Sequence, residues 1–205
     1  MSAVNQKAIK KSMHQTRVLT KTAVLGVLAF LIMLIEVPLP LFAAFLKLDF
    51  SDVPALLAGF AMGPGAGIMV EAIKNILHAI FRNQTAFIGE TANFVTGVLL
   101  VLPAAWIYSL KKCKKNAIIG MAVGTIVMAL GMAAANYYVL VPLYQKVLNI
   151  PTDAVVAMGT KVNPRIVDLK TLVVYSIFPF NVLKGIVLTI ITALIYKKLS
   201  PILHR

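Results

Sequence analysis

The length of its apolar runs constrains this chain more than any other feature. A helix needs about 20 apolar residues to cross about 30 Å of hydrocarbon. Leu19–Glu36, Ile88–Leu110, Ala117–Val141 and Leu172–Tyr196 each reach or approach that length. Val53–Met62 and Ile68–Phe81 are shorter apolar runs, joined by Gly63-Pro64-Gly65-Ala66-Gly67. Of the 205 residues 60% are apolar and 13% charged; soluble domains carry about 45–50% and about 25%. Too little polar surface remains for a water-soluble fold, and disordered, collagenous and disulfide-scaffold readings fall with it. The chain reads as an all-α integral membrane protein of six transmembrane helices. It forms a single membrane domain over residues 1–205, with spans at about 18–36, 53–63, 67–82, 88–110, 117–141 and 171–197.

The junctions supply the remaining organisation. A basic lead (Lys7, Lys10, Lys11, Arg17, Lys21) precedes the first run, which lacks a small-residue cleavage site and so reads as a retained helix and not a signal peptide. Val37-Pro38-Leu39-Pro40 ends that helix, because a proline disfavours helix in the residue before it. The stretch from there to Asp52 reads as a structured, proline-rich loop or re-entrant segment, which at membrane depth must be covered by protein. Leu143–Lys170 reads as the one long polar connection, with a turn at Asn163-Pro164.

With six spans both termini share a side, and twelve of the 20 basic residues fall there, including Lys111, Lys112, Lys114, Lys115, Lys197, Lys198 and Arg205. Six fall on the other side, partly offset by Asp49, Asp52, Asp153 and Asp168. The excess places both termini in the cytoplasm. The net charge of +13 is therefore a topology signal and not a nucleic-acid footprint. One cysteine, Cys113, excludes an internal disulfide and any CxxC motif.

Ionisable groups at membrane depth cost about 2.5–3.5 kcal/mol each on insertion scales, so each needs a reason. They are Glu36, Glu71, Lys74, His78, Glu90 and Lys184, joined by the amides Asn93, Asn136 and Asn181. Glu90 with Asn93, and Asn181 with Lys184, stand three apart and share a helix face. In this topology they meet in the outer half of the bilayer, as a small-molecule pocket requires. Phe42, Phe45, Leu46, Leu48, Phe94, Tyr137, Tyr138 and Phe180 are the candidate walls. A bundle could use the same polar groups as interhelical glue, with Glu90 neutralising Lys184. Glu71, Lys74 and His78, spaced i, i+3, i+7, look like a self-paired structural stripe. Gly120-x-x-x-Gly124 and Gly131-x-x-x-Ala135 permit close helix packing. Thr22-x-x-x-Gly26 has the same spacing near the cytoplasmic end of a helix that could face a partner.

No Walker A loop, GxSxG, HExxH or metal-ligand spacing occurs, so ATP coupling within the chain, hydrolysis and metal catalysis are not expected. A binding protein that moves or hands on its ligand fits better than an enzyme.

Four segments carry a family likeness: Leu46-Lys47-Leu48-Asp49-Phe50-Ser51-Asp52-Val53-Pro54 running on through Ala55–Gly67, Gly89-Glu90-Thr91-Ala92-Asn93-Phe94, Asn136-Tyr137-Tyr138, and Pro179-Phe180-Asn181-Val182-Leu183-Lys184-Gly185. In these the sequence resembles the substrate-binding S components of energy-coupling factor (ECF) vitamin transporters, and within them the riboflavin-specific members. The resemblance implies a bacterial cell-membrane protein that binds riboflavin from outside, as transported ligand and not as cofactor. Its implied partners are a membrane T component and two cytoplasmic ATPases, thought to topple it so that the pocket opens inward. It implies a pocket built from the first loop and helices four to six. Asn181 and Lys184 would bind ligand, with Glu90, Asn93, Asn136 and Tyr138 as companions and Phe45, Leu46, Lys47 and Leu48 from the loop. Relatives dock the T component through Ala-x-x-x-Ala on the first helix; here Ala23 is followed four on by Val27, and Thr22 with Gly26 keeps the small-residue spacing.

Asparagine offers donor and acceptor together, matching the imide edge of a flavin, and an ammonium supplies three donors. Leu, Phe and Tyr can cover the ring faces. Another neutral vitamin, a nucleobase-like ligand, or a structural protein with no ligand remain the alternatives.

Overall fold

The computed structural model describes the backbone of residues 3–203, and side chains at residue 13 and residues 15–196. The basic side chains Lys7, Lys10, Lys11, Lys197, Lys198 and Arg205, which weigh in the topology argument, lie outside the described residues. Helix α1 is Ala3–Met33, α2 Asp52–Met62, α3 Pro64–Arg82, α4 Ile88–Leu110 and α5 Lys114–Ala135. A π-helical turn, Asn136–Leu140, joins α5 to α6 (Val141–Leu148), and α7 is Thr152–Thr160. A second π turn, Val173–Ile177, joins the short α8 (Leu169–Leu172) to α9 (Phe178–Leu203).

Among the described residues four continuous helical segments are long and apolar enough to cross a bilayer: Gln15–Met33, Ile88–Leu110, Lys114–Leu148 and Leu169–Tyr196. Helix α2, with 11 residues, is about 16 Å long at 1.5 Å per residue, half a hydrocarbon thickness. It is wrapped by the bundle, with Asp52 through Phe60 all buried. Helix α3 has 19 residues and carries Glu71, Lys74 and Asn75 on its buried side.

Three boundaries differ from the sequence expectation. The first helix ends at Met33, so Glu36 stands in the loop beyond it. Of the glycine-rich junction, only Gly63 is non-helical: its φ of +103° is a conformation that L side chains rarely adopt, and Pro64 then starts α3. The fifth helix runs on to Leu148, well past Val141. Pro142 is why the sequence points to an earlier end. A proline inside a helix has no N–H and crowds the carbonyl four residues back. The chain yields by widening one turn, so that the Val141 N–H reaches the Asn136 carbonyl five residues back. Pro179 follows the second π turn at the same offset, where the Phe178 N–H reaches the Val173 carbonyl.

Small residues set the helix spacing. A Cβ on Gly120 would stand 2.6 Å from the Ala104 carbonyl oxygen, and one on Gly131 would stand 2.6 Å from Leu99. Helix α5 therefore lies directly on α4, and its other side packs on α9. At one end of the bundle the rings of Phe60, Tyr108 and Tyr196 cluster, with the two hydroxyls 2.6 Å apart. Leu100, Met121, Met128 and Leu188 fill the interior beside them.

The segment from Val37 to Ser51 is a folded insertion into this bundle. Val37–Pro38 pairs antiparallel with Lys47–Leu48. The fully buried Ala43 donates its N–H to Ser176 Oγ on the second π turn at 3.1 Å. Asp49, Ser51 and Asp52 are buried alongside the apolar core.

Candidate functional site

Among the described residues two polar assemblies occupy the bundle interior, and they share Asp49 and Lys184. The first is a cavity of about 450 Å³. Its entrance is ringed by groups at the ends of elements: Glu36 and Lys47 from the loop, Arg82 from the end of α3, and Gln84 and Thr85 before α4. Its depth is lined by Asn93 and Thr96 of α4, Met132 and Asn136 around the first π turn, and Phe180, Asn181 and Lys184 of α9. Phe45, Leu46, Leu140, Tyr144 and Val155 supply apolar wall.

The amides are held for use. Asn136 Nδ2 donates to the Met132 carbonyl at 2.8 Å, and Asn181 Nδ2 donates to the Ile177 carbonyl at 2.9 Å. Each amide is anchored to its own helix four residues back, which leaves its Oδ1 as the group offered to the cavity. Asn93 Oδ1 is buried without a hydrogen-bond partner. A buried orphan acceptor costs about 1–3 kcal/mol, a cost that a donor on a bound molecule would remove. Glu90 is fixed differently, by His78 Nδ1 at 3.0 Å on one oxygen and by the Thr85 hydroxyl at 3.3 Å on the other. At the entrance, Lys47 Nζ meets Glu36 Oε2 at 2.6 Å, and Arg82 Nη1 donates to the Leu34 carbonyl at 3.3 Å.

The second assembly is an ionic cluster that reaches the cavity wall at Asp49 and Lys184. Lys74 Nζ, fully buried, contacts Asp52 Oδ1, Glu71 Oε2 at 2.8 Å and Ser51 Oγ at 2.9 Å. Lys184 Nζ lies 3.0 Å from Asp49 Oδ2 and 3.0 Å from Asp52 Oδ2. Asp49 Oδ1 accepts from the Ser51 N–H at 2.9 Å and from the Ser51 hydroxyl. The loop thus places two carboxylates between a lysine of α3 and a lysine of α9. Gly97 makes room for the cluster, since a Cβ there would come within 2.7 Å of Glu71 Oε1.

The structure brings Phe45, Leu46, Lys47, Glu90, Asn93, Asn136, Asn181 and Lys184 to the one cavity. It leaves Leu48 and Tyr138 out. Side chains alternate along a strand, so Lys47 faces the cavity and Leu48 turns away, 8% exposed. Tyr138 is 74% exposed on the outside of the bundle, stacked edge-on with Tyr137; the widened turn that holds Asn136 inward carries both tyrosines out. Of the remaining candidate walls, Phe180 lines the cavity and Phe42 meets it edge-on with ring centres 5.4 Å apart, while Phe94 is not part of the lining. Thr22 and Gly26 also need correction. Thr22 is 3% exposed, and a Cβ on Gly26 would stand 2.6 Å from Ile73 of α3. That pair seats α1 on α3 and does not face outward; Ala23, Val24, Val27 and Leu28 do.

Lys184 is neutralised by Asp49 and Asp52, not by Glu90. The stripe divides: Glu71 and Lys74 pair with each other, and His78 pairs across to Glu90. Sequence reasoning missed His78, Thr96 and Tyr144 as cavity residues. Only for His78 was there a signal, its i, i+7 offset from Glu71 on the buried side of α3.

Residues 17–196 match the model of the family described as the ECF transporter, substrate-specific component. The riboflavin transporter RibU of Staphylococcus aureus is 38% identical over 196 residues, covering 96% of this chain and 97% of that one. The riboflavin transporter FmnP of Bacillus subtilis is 39% identical over 185 residues, covering 89% and 92%. A solved S component of a bacterial ECF transporter superposes with a TM-score of 0.73 at 37% identity, covering 93% of this chain and 99% of that one. With bundle, loop and cavity accounted for and the match running nearly end to end, the chain belongs to the family of substrate-specific components of ECF transporters.

Proposed function

We propose that this multi-pass membrane protein binds riboflavin from the outer side and delivers it to an ATP-driven ECF complex for uptake. The carrying observation is the cavity: three amides and the Lys184 ammonium, from α4, the first π turn and α9, converge on about 450 Å³ beside apolar and aromatic wall, with the charged groups Glu36, Lys47 and Arg82 at its entrance. Pockets of about 300–1,000 Å³ with a few convergent polar groups suit ligands of this size. The names of the relatives, riboflavin transporters RibU and FmnP, point to the same ligand and do not favour another vitamin or a purely structural role. Asn93, Asn136 and Asn181 would meet the amide-rich edge of the ring system or the ribityl hydroxyls. Phe45, Leu46, Tyr144 and Phe180 would cover its faces. The flavin is cargo, not a cofactor.

The proposed topology has six crossings within one membrane domain and both termini in the cytoplasm. The short α2 is completed by the loop at Val37–Ser51, which fills the outer leaflet above it. A T component and two cytoplasmic ATPases are the proposed partners. The docking surface on α1 moves to the outward face of Ala23, Val24, Val27 and Leu28, because Thr22 and Gly26 are occupied by α3.

Extraction of the purified protein and identification of what it carries tests the ligand directly. Co-purifying flavin, and stoichiometric quenching of flavin fluorescence on titration, are expected. No quenching by properly folded protein overturns the proposal.

A further inference from the structure

The wiring of Lys184 bears on which ligands the cavity accepts. An ammonium has three N–H donors. One of those on Lys184 is directed to Asp49 Oδ2 at 3.0 Å, and the ammonium also stands 3.0 Å from Asp52 Oδ2 as an ion pair, while Lys184 lines the cavity. Asp49 is itself fixed. Its Oδ1 accepts both the N–H and the hydroxyl of Ser51, whose Oγ also accepts from Lys74 Nζ at 2.9 Å. The carboxylate opposite Lys184 therefore cannot swing away without breaking both bonds to Ser51, a residue itself held by a second buried lysine. Lys184 and Asp49 side chains are 4% and 5% exposed, so the pair is little screened by water.

We infer that Asp49 is a positioning and specificity-determining residue. It cancels the charge of Lys184 and fixes the direction of its ammonium, so that the site selects an uncharged ligand bearing a carbonyl or hydroxyl acceptor against an anionic phosphate ester of the same ring system. A free lysine at the same place would act as a point charge and favour the phosphate. The carboxylate converts a cation into a directed donor. Because Asp49 follows directly on the loop strand Lys47–Leu48, the same contact also ties the loop to α9. This inference rests on the flavin reading of the cavity.

The test compares riboflavin with its 5′-phosphate by fluorescence quenching, in the native protein and in Asp49→Asn and Asp49→Glu. Native protein is expected to bind the uncharged form at least about tenfold more tightly. Asp49→Asn is expected to move that ratio about tenfold or more toward the phosphate, a difference of about 1.4 kcal/mol. Asp49→Glu, which keeps the charge, is expected to hold the native ratio even where both affinities fall. Equal losses for both ligands in Asp49→Asn would reduce Asp49 to a structural residue and overturn the inference, as would a shifted ratio in Asp49→Glu. Should Asp49→Asn fail to fold, the native ratio decides: phosphate bound as tightly as riboflavin, or more tightly, overturns the inference. Native protein that binds neither compound fails the flavin reading instead.

Discussion

The ionic cluster and the cavity are neighbours built from the same kinds of residue, yet they solve opposite problems. In the cluster, Lys74, Asp52 and Glu71 are fully buried and face one another. In the cavity, the amides are anchored at one atom and left available at the other, and Asn93 Oδ1 has no partner at all. Polar groups at membrane depth thus divide by what faces them: an opposite charge in the cluster, open space in the cavity. The charge-paired set holds loop, α3 and α9 together. The amide set is what a ligand finishes. Lys184 and Asp49 belong to both.

The contrast breaks most sharply at Lys74. Lys74→Met leaves Glu71 as an uncompensated buried acid and Asp52 with Lys184 alone, a loss of about 3–5 kcal/mol. Thermal unfolding in detergent should show the drop with or without flavin; an unchanged melting temperature would dissolve the distinction between the two sets. Asn181→Ala is the converse. It should weaken flavin binding by about 1–3 kcal/mol, roughly tenfold to a hundredfold, while the ligand-free melting temperature stays close to native. A fall in stability without a fall in affinity would move Asn181 into the structural set. Gly97→Ala sharpens the boundary from the packing side. Its added methyl presses on the Glu71 carboxylate, and overpacking costs about 1–3 kcal/mol, so stability should fall by more than affinity.

The smallest effect is expected outside both sets, at the start of α8. Asp168 accepts the Thr171 N–H at 2.7 Å and its side chain also meets the Thr171 hydroxyl. The Thr171 backbone bond, with the hydroxyl second, holds the exposed Asp168 carboxyl below the usual carboxylate range. A carboxyl lowered on folding contributes stability above its unfolded pKa and loses it as pH falls through the folded one. The melting difference between native protein and Asp168→Asn should therefore be present at neutral pH and vanish in acid; a difference that grows in acid would contradict the cap.

Much of this was legible in the sequence because hydropathy is a local property. The apolar runs located the long helices, and the cost of burying amides singled out Asn93, Asn136 and Asn181 before any contact was known. Pairing is not local. Lys184 meets Asp49 across 135 positions, and no spacing rule distinguishes that partner from Glu90. The proline-driven π turns were equally hidden. One widened turn rotates the residues after it, so Asn136 lines the cavity while Tyr138, from the same motif, lies on the outer surface. Thr22 and Gly26 show a third limit: small residues at a spacing of four announce a close contact without saying with which helix.

The packed end of the bundle carries a last consequence. Beneath the cavity floor, Leu100, Met128 and Leu188 are fully buried, and further on Tyr108 and Tyr196 join hydroxyls beside the ring of Phe60. Among the described residues the cavity does not continue past that plug, so in this conformation a solute admitted at the rim meets a closed bottom, as in a flask with one neck, and has its way out at the rim.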